Sequence, residues 1–307
     1  MPRIRVGSTV TRAPYQAPVS DVLAFRLLAL LLALCAPFAR AESAGELHRI
    51  PYALDDSLQF GDLHLPRGAG PFPLVIVIHG GCWLANVATL DSTSPLADAL
   101  ADAGVATWNV EYRRVGDSGG GWPGTFRDVA AATDFAKTLA QSYPLDLRRV
   151  VVVGHSAGAH LALWTAARAK LNETSALWVK SPLPVRGVVA IAGPGDLRPL
   201  ARRGAICGKG TLEGLLGGKI ESVPEHWAQG SPGALLPLGV RQALIAGEKD
   251  RVVTSRLVGM YEEAARLAGD RVSLDEIADA SHMELIAPDS SAWPTVKRRV
   301  LELVGAH

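Results

Sequence analysis

Arg149-Val150-Val151-Val152-Val153-Gly154-His155-Ser156-Ala157-Gly158-Ala159-His160-Leu161 is the stretch on which the reading of this chain turns. Four consecutive valines suit a strand buried on both faces. The Ala-rich segment that follows predicts a helix over 157–170. At the junction a serine sits midway between two glycines, Gly154-His155-Ser156-Ala157-Gly158. That spacing fits a sharp strand-to-helix turn that projects the serine oxygen away from the backbone. Side chains two positions either side would collide in such a turn, which gives both glycines a steric reason. The N-terminus of the next helix adds partial positive charge beside the oxygen. An ordinary Gly-rich turn would share these letters, so the surroundings have to decide.

Outward from this junction, strand-length apolar runs alternate with helix-length segments. Residues 74–78, 106–112, 187–191 and 242–246 read as strands. Residues 126–143, 255–268 and 292–304 read as helices. Strand-helix alternation of this kind implies an α/β fold, a mostly parallel sheet with helices on both faces. Residues 47–54 and 58–65 read instead as an antiparallel pair on a sheet edge, with a turn at Asp55-Asp56. Residues 197–240 interrupt the alternation with Gly, Pro and Arg, and read as a small cap-like insertion above the strand ends.

Composition narrows the function. The chain has 307 residues, 48% hydrophobic and 20% charged, enough to bury a sizeable core and too apolar to be disordered. A net charge of +1 makes no case for nucleic acid. Three cysteines cannot build a disulfide scaffold or a Cys-rich zinc site. Leu27 to Ala36 is an unbroken apolar run behind Arg26, and Ala39-Arg40-Ala41 follows with a small-x-small pattern. Residues 1–41 therefore read as an N-terminal extension and secretory signal peptide, with an uncleaved membrane anchor as the alternative. They carry five Arg and one Asp; without them 26 basic and 29 acidic side chains remain, a net charge of −3. The expected catalytic domain is 42–307, secreted or periplasmic, with no stable membrane partner.

The G-x-S-x-G pattern occurs twice. Gly116-Asp117-Ser118-Gly119-Gly120 lies in a Gly-rich stretch with no helix directly after it, and reads as a loop without a nucleophile. Ser156 has the strand and the helix. A second signal is His79-Gly80-Gly81-Cys82-Trp83, directly after the 74–78 strand. Acyl transfer builds negative charge on a carbonyl oxygen, and backbone N–H groups in a Gly-rich loop can stabilise it. The expected donors are the N–H of Ala157 and that of Gly81 or Cys82. His79 is read as a hydrogen bonder that shapes the turn. Of the histidines after Ser156, His160 reads as packing or capping, His226 lies in the insertion, and His307 ends the chain. His282 sits in a loop able to reach over the sheet and is the expected base. Asp250 follows the 242–246 strand and is the expected orienting acid, preferred to Asp196. The order Ser156, Asp250, His282 matches one of the three known triad orders.

These residues resemble the α/β-hydrolase superfamily, and within it the esterase branch of BD-FAE and kynurenine-formamidase-like enzymes. The resemblance rests on His79-Gly80-Gly81-x-Trp83, on Gly154-His155-Ser156-Ala157-Gly158-Ala159-His160-Leu161, and on His282 with Ile286 and Pro288. Asn109 to Arg113, Trp122-Pro123 and Asp128 add to it. It implies an α/β-hydrolase fold and a serine hydrolase acting on a small-molecule carboxylic ester, without metal or organic cofactor. An amide hydrolase, such as an arylformamidase or exopeptidase, is the alternative on the same triad. Cys82 and Cys207, both near the expected site, either tether the insertion to the oxyanion loop or stand as two free thiols. Arg198, Arg202 and Arg203 would favour an acidic substrate if they faced the site, and otherwise are solvated.

Overall fold

The computed structural model describes residues 45–202 and 207–305. The expected export segment and His307 lie outside the described residues. Eight strands form one sheet: β1 (Leu47–Pro51), β2 (Phe60–His64), β3 (Phe72–Ile78), β4 (Ala106–Val110), β5 (Leu145–His155), β6 (Gly187–Ile191), β7 (Arg241–Gly247) and β8 (Val272–Ile277). Their order is β1-β2-β4-β3-β5-β6-β7-β8. β1 and β2 pair antiparallel at one edge, as the sequence predicts, and β3 to β8 run parallel. The chain leaves β3 for β4 on one side, then returns past it to β5 on the other. The strand order thus reverses at β3 and β5, and in open α/β sheets the crevice beyond the carboxyl ends at such a reversal is where ligands bind.

The helices are α1 (Ser94–Asp102), α2 (Gly124–Asp134), α3 (Ala136–Ser142), α4 (Ala157–Ala167), α5 (Leu197–Arg202), α6 (Thr211–Leu216), α7 (Pro224–Gly230), α8 (Ser255–Leu267) and α9 (Trp293–Val304). Side chains alternate across each strand, so the sheet feeds two cores. Val150, Val152, Leu74, Ile76 and Ile78 pack with Phe126 of α2, Trp164 of α4 and Tyr261 of α8. Val151, Val153, Val75 and Val77 pack on the other face with Leu96 and Leu100 of α1 and Val296 and Val300 of α9. Each fully buried aliphatic side chain contributes about 1.5–3 kcal/mol relative to exposure. The four-valine run is what a strand covered on both faces needs. α4 is buried at every residue, which is why its sequence is small and apolar all round rather than amphipathic.

Two differences from the sequence expectation have a clear physical cause. The single helix expected over 126–143 is two helices that meet at Phe135. Thr133 donates to the Val129 carbonyl at 2.7 Å, a back-bond that bends helices. The Asp134 carboxylate is drawn off the axis by Arg168 and by the N–H of Leu183. β5 begins at Leu145, not at 150, with a register irregularity opposite Pro73 and Leu74. The added residues include Asp146, Arg148 and Arg149, which pair with one another and lack the apolar signature of a buried strand.

Candidate active site

The β5–α4 junction is an elbow. Ser156 is buried, with φ 55° and ψ −119°, a conformation that a non-glycine residue occupies only when its surroundings hold it there. Its N–H donates to the Ile191 carbonyl at 2.8 Å, and its own carbonyl accepts from Ala159 N at 3.0 Å. A Cβ on Gly154 would come within 2.1 Å of the Gly158 carbonyl oxygen. One on Gly158 would come within 2.1 Å of the Ile78 carbonyl oxygen. The steric reason expected for both glycines therefore holds, and Gly158 also lets α4 pack against the end of β3. Ala157 opens α4, so its N–H has no partner within the helix.

The loop after β3 lies against this elbow. A Cβ on Gly80 would meet the His155 carbonyl at 2.9 Å and the Ser156 Cβ at 3.1 Å. Gly81 has φ +100°, and Cys82 and Trp83 follow at φ 56° and 57°. The five non-glycine residues with positive φ among the described residues are Cys82, Trp83, Ser156, Ala192 and Asp279. All lie just beyond the carboxyl end of a strand, so the backbone strain is concentrated on one rim of the sheet.

His79 is fully buried beneath this loop. One ring nitrogen contacts the Gly80 carbonyl at 2.8 Å, and the other contacts Glu111 Oε1 at 2.8 Å. Its ring stacks on Tyr112 at 4.3 Å, and the Tyr112 hydroxyl donates to the His79 carbonyl. Burial alone would raise the Glu111 pKa. The hydrogen bond and charge of His79, the N–H of Tyr112 and the charge of Arg114 outweigh it and hold the carboxyl below its ordinary range. His79 thus shapes the turn, as expected. Glu111 belongs to the 109–113 stretch that carries the resemblance, but its pairing with His79 was not anticipated. The parallel register that pairs Ile78 with Val110 puts the next residues, His79 and Glu111, side by side, a signal available once those two strands are known to be neighbours.

Farther along the same rim, beyond β7 and β8, His282 Nδ1 donates to Asp250 Oδ2 at 2.7 Å. The second Asp250 oxygen accepts from the N–H groups of Val252 at 2.7 Å and Val253 at 2.9 Å. Burial would raise the Asp250 pKa, but the hydrogen bond from His282 and those from Val253 and Val252 outweigh it and lower the pKa. Asp196 is engaged elsewhere, with Arg198 at 2.8 Å and with the Ser231 hydroxyl. The ring of His155, the last residue of β5, lies 4.5 Å from that of His282.

The insertion contains α5, α6 and α7. Cys82 and Cys207 form a disulfide, with Cα atoms 5.4 Å apart, so of the two open readings the tether is the one realised and free thiols are not. Tertiary folding brings together residues separated by 125 positions, which no local pattern encodes. His160 donates from Nε2 to the Gly230 carbonyl at 2.7 Å and so links α4 to the insertion. Burial pushes its pKa down to about 4. His226 stacks on Trp122 at 4.2 Å. Arg198 is spent on Asp196, and Arg203 lies outside the described residues. Ser118 is exposed in a loop, as the sequence predicts. Among the described residues no group of three or more His, Cys, Asp or Glu side chains could hold a metal ion, and no helix is long and apolar enough to cross a membrane.

Comparison with known proteins agrees with this fold. A truncated carbohydrate esterase from gut microbiota superposes with a TM-score of 0.72 at 20% identity, covering 88% of this chain and 99% of its own. Esterase B from Lactobacillus rhamnosis gives 0.72 at 18% identity, covering 93% of each chain. These likenesses establish the α/β-hydrolase fold. In sequence, a probable isoprenylcysteine alpha-carbonyl methylesterase of Arabidopsis thaliana is 27% identical over 114 residues, 37% of this chain and 23% of that protein. A non-reducing polyketide synthase of Penicillium rubens is 28% identical over 162 residues, 48% of this chain. This chain spans only 6% of that synthase. The BD-FAE family model matches residues 62–260, from β2 through the elbow and Asp250 into α8, and this chain belongs to the BD-FAE family.

Proposed function

We propose that this chain is a serine hydrolase that cleaves small-molecule carboxylic esters through an acyl-enzyme. Ser156 is the nucleophile, His282 the general base and then acid, and Asp250 the carboxylate that orients it. The observation that carries this reading is the 2.7 Å bond between His282 Nδ1 and Asp250, at the same rim of the sheet as the buried elbow serine. A carboxylate on Nδ1 fixes the tautomer, so Nε2 is the atom that accepts a proton, and it stabilises the imidazolium that forms. Ser156 Oγ attacks the ester carbonyl carbon as His282 Nε2 takes its proton. The resulting oxyanion is met by the N–H of Ala157 and that of Gly81 or Cys82. Each such donor contributes about 3 kcal/mol to lowering the barrier. His282 then protonates the departing alcohol as the C–O bond breaks. Water, deprotonated by His282, attacks the acyl carbon and releases the acid and Ser156.

The names of the structural neighbours and of the plant relative favour an ester over an amide. We take residues 42–307 as the catalytic domain, with 197–240 as its cap, and 1–41 as an export signal. The Cys82–Cys207 bond supports maturation outside the cytosol, in a secreted or periplasmic protein, because disulfides persist in oxidising compartments. Labelling with a fluorophosphonate tests the nucleophile: the wild type should react and Ser156→Ala should not. Equal labelling of the two would overturn the assignment. A panel of aryl acetates, N-formylkynurenine and an aminoacyl arylamide tests the bond, with the acetates expected to turn over fastest.

A further inference from the structure

His155 sits between Gly154 and Ser156, in a motif position whose side chain the ester chemistry above leaves without a task. In the structure it is buried, and its Nε2 lies 3.0 Å from the backbone carbonyl oxygen of His282. A carbonyl only accepts, so this nitrogen carries the proton and donates. The residue next to the nucleophile therefore holds the backbone of the residue that would serve it as base.

The loop that bears His282 needs such an anchor. It leaves β8 through Asp279, at φ 62°. On the β7 side it is tied by the N–H of Lys249, which donates to the Ala280 carbonyl at 3.1 Å. Gly247 makes room there, since a Cβ on it would meet the Ala280 carbonyl oxygen at 2.3 Å. Within the loop the N–H of Ser281 donates to Glu284. These contacts, with Asp250, set His282 relative to β7. The contact from His155 sets it relative to β5, the strand that ends in Ser156. Resting on the reading of Ser156, Asp250 and His282 given above, we infer that His155 is a positioning residue, whose hydrogen bond to the His282 carbonyl fixes the base relative to the nucleophile.

The protonation of His155 suits that task. Burial first, and the neighbouring His282 second, push its pKa down to about 3, against the backbone carbonyl of His282 and the charge of Asp250, which raise it. The ring is neutral at working pH, so it donates one hydrogen bond without adding a second cation beside the imidazolium that forms on His282. A charged side chain here would oppose that imidazolium.

The test replaces the donor while filling the space. His155→Leu removes the hydrogen bond, and His155→Gln restores an N–H near the place of Nε2. Turnover is normalised to the number of sites that react with a fluorophosphonate at completion, which counts folded, competent enzyme. We expect His155→Leu to lower kcat per reactive site roughly 10- to 100-fold with little change in KM, as a displaced catalytic group does. His155→Gln should recover most of the loss. Wild-type kcat in His155→Leu, or no recovery in His155→Gln, overturns the inference. Should the leucine variant not fold, His155→Asn, too short to reach the carbonyl, takes its place; it must fall below His155→Gln, and equality of the two overturns the inference. Ser156→Ala separates this from the underlying reading. If that variant is still labelled, the triad assignment falls. If it is silent while His155→Leu keeps full activity, only the role of His155 falls.

Discussion

Two segments of this molecule share the letters G-x-S-x-G and a steric need for glycine, but they set their serines in different surroundings. Gly116 to Gly120 runs through a largely exposed loop, in which Gly116 and Gly119 take positive φ and a Cβ on Gly120 would meet the Arg114 carbonyl oxygen at 1.8 Å. Gly154 to Gly158 turns from a buried strand into a buried helix within a single residue. There, neither glycine could carry a Cβ without meeting a carbonyl oxygen at 2.1 Å. Both segments therefore require their glycines; what differs is the serine, exposed in a loop at 118 and buried at φ 55° between strand and helix at 156. A motif is thus only as specific as the packing around it, and the difference between the two serines should be visible in every property that packing controls.

The widest gap should be in turnover. Ser156→Ala should lower kcat roughly 10⁴- to 10⁶-fold, measured on an aryl acetate. A smaller loss would mean that the elbow serine is not the nucleophile. Asp250→Asn should follow, with a drop of about 10⁴-fold, because an amide can hold His282 in the wrong tautomer. The same carboxylate marks the stability curve. Its pKa is lowered in the folded state, so its ionised pairing stabilises the fold above the unfolded value near 4 and is lost as pH falls through the lower folded value. The stability difference between wild type and Asp250→Asn, read by denaturant unfolding, should therefore stay level from pH 7 to about 5 and shrink below about 4.

Steric necessity predicts the third effect. Gly158→Ala should destabilise the fold by 3 kcal/mol or more, roughly the upper end for an overpacked core, since the atom in its way is backbone of β3. An alanine that leaves the unfolding midpoint unchanged would show that the elbow is looser than its geometry implies. Reduction of the Cys82–Cys207 bond comes next, with a loss of about 2–4 kcal/mol in a thermal or denaturant melt run with and without reductant. Ser118→Ala closes the series. It should leave kcat unchanged and move stability by less than about 0.5 kcal/mol, as exposed substitutions do. Any clear loss of activity there would erase the contrast between the two segments.

Much of this was legible from residue order. Val150 to Val153 announced a strand covered on both faces because all four are apolar, and the alternation of runs announced a parallel sheet. The order of Ser156, Asp250 and His282, and the placement of Asp250 after a strand, singled out the pair that lies 2.7 Å apart. The start of β5 was hidden because Asp146, Arg148 and Arg149 satisfy one another as ions and carry no apolar signal. The break at Phe135 was hidden because it depends on where Arg168 and Leu183, distant in sequence, draw the Asp134 carboxylate.

What the sequence determined by itself is therefore local: which segments are strands and helices, which serine can sit on a sharp turn, and which residue types can move a proton. Those properties follow from side-chain size, backbone sterics and period, all carried by near neighbours in the chain. Tertiary structure decided the rest. It joined Cys82 to Cys207, set Glu111 against His79, and brought His155 to the carbonyl of His282 across 127 positions. Glu111 and His79 follow neighbouring strands, whereas Cys207 comes from the insertion and His282 from the loop after β8, with two strands between it and β5; each contact joins segments distant in the chain, and strand order is settled by burial of the whole core rather than by any single stretch of residues.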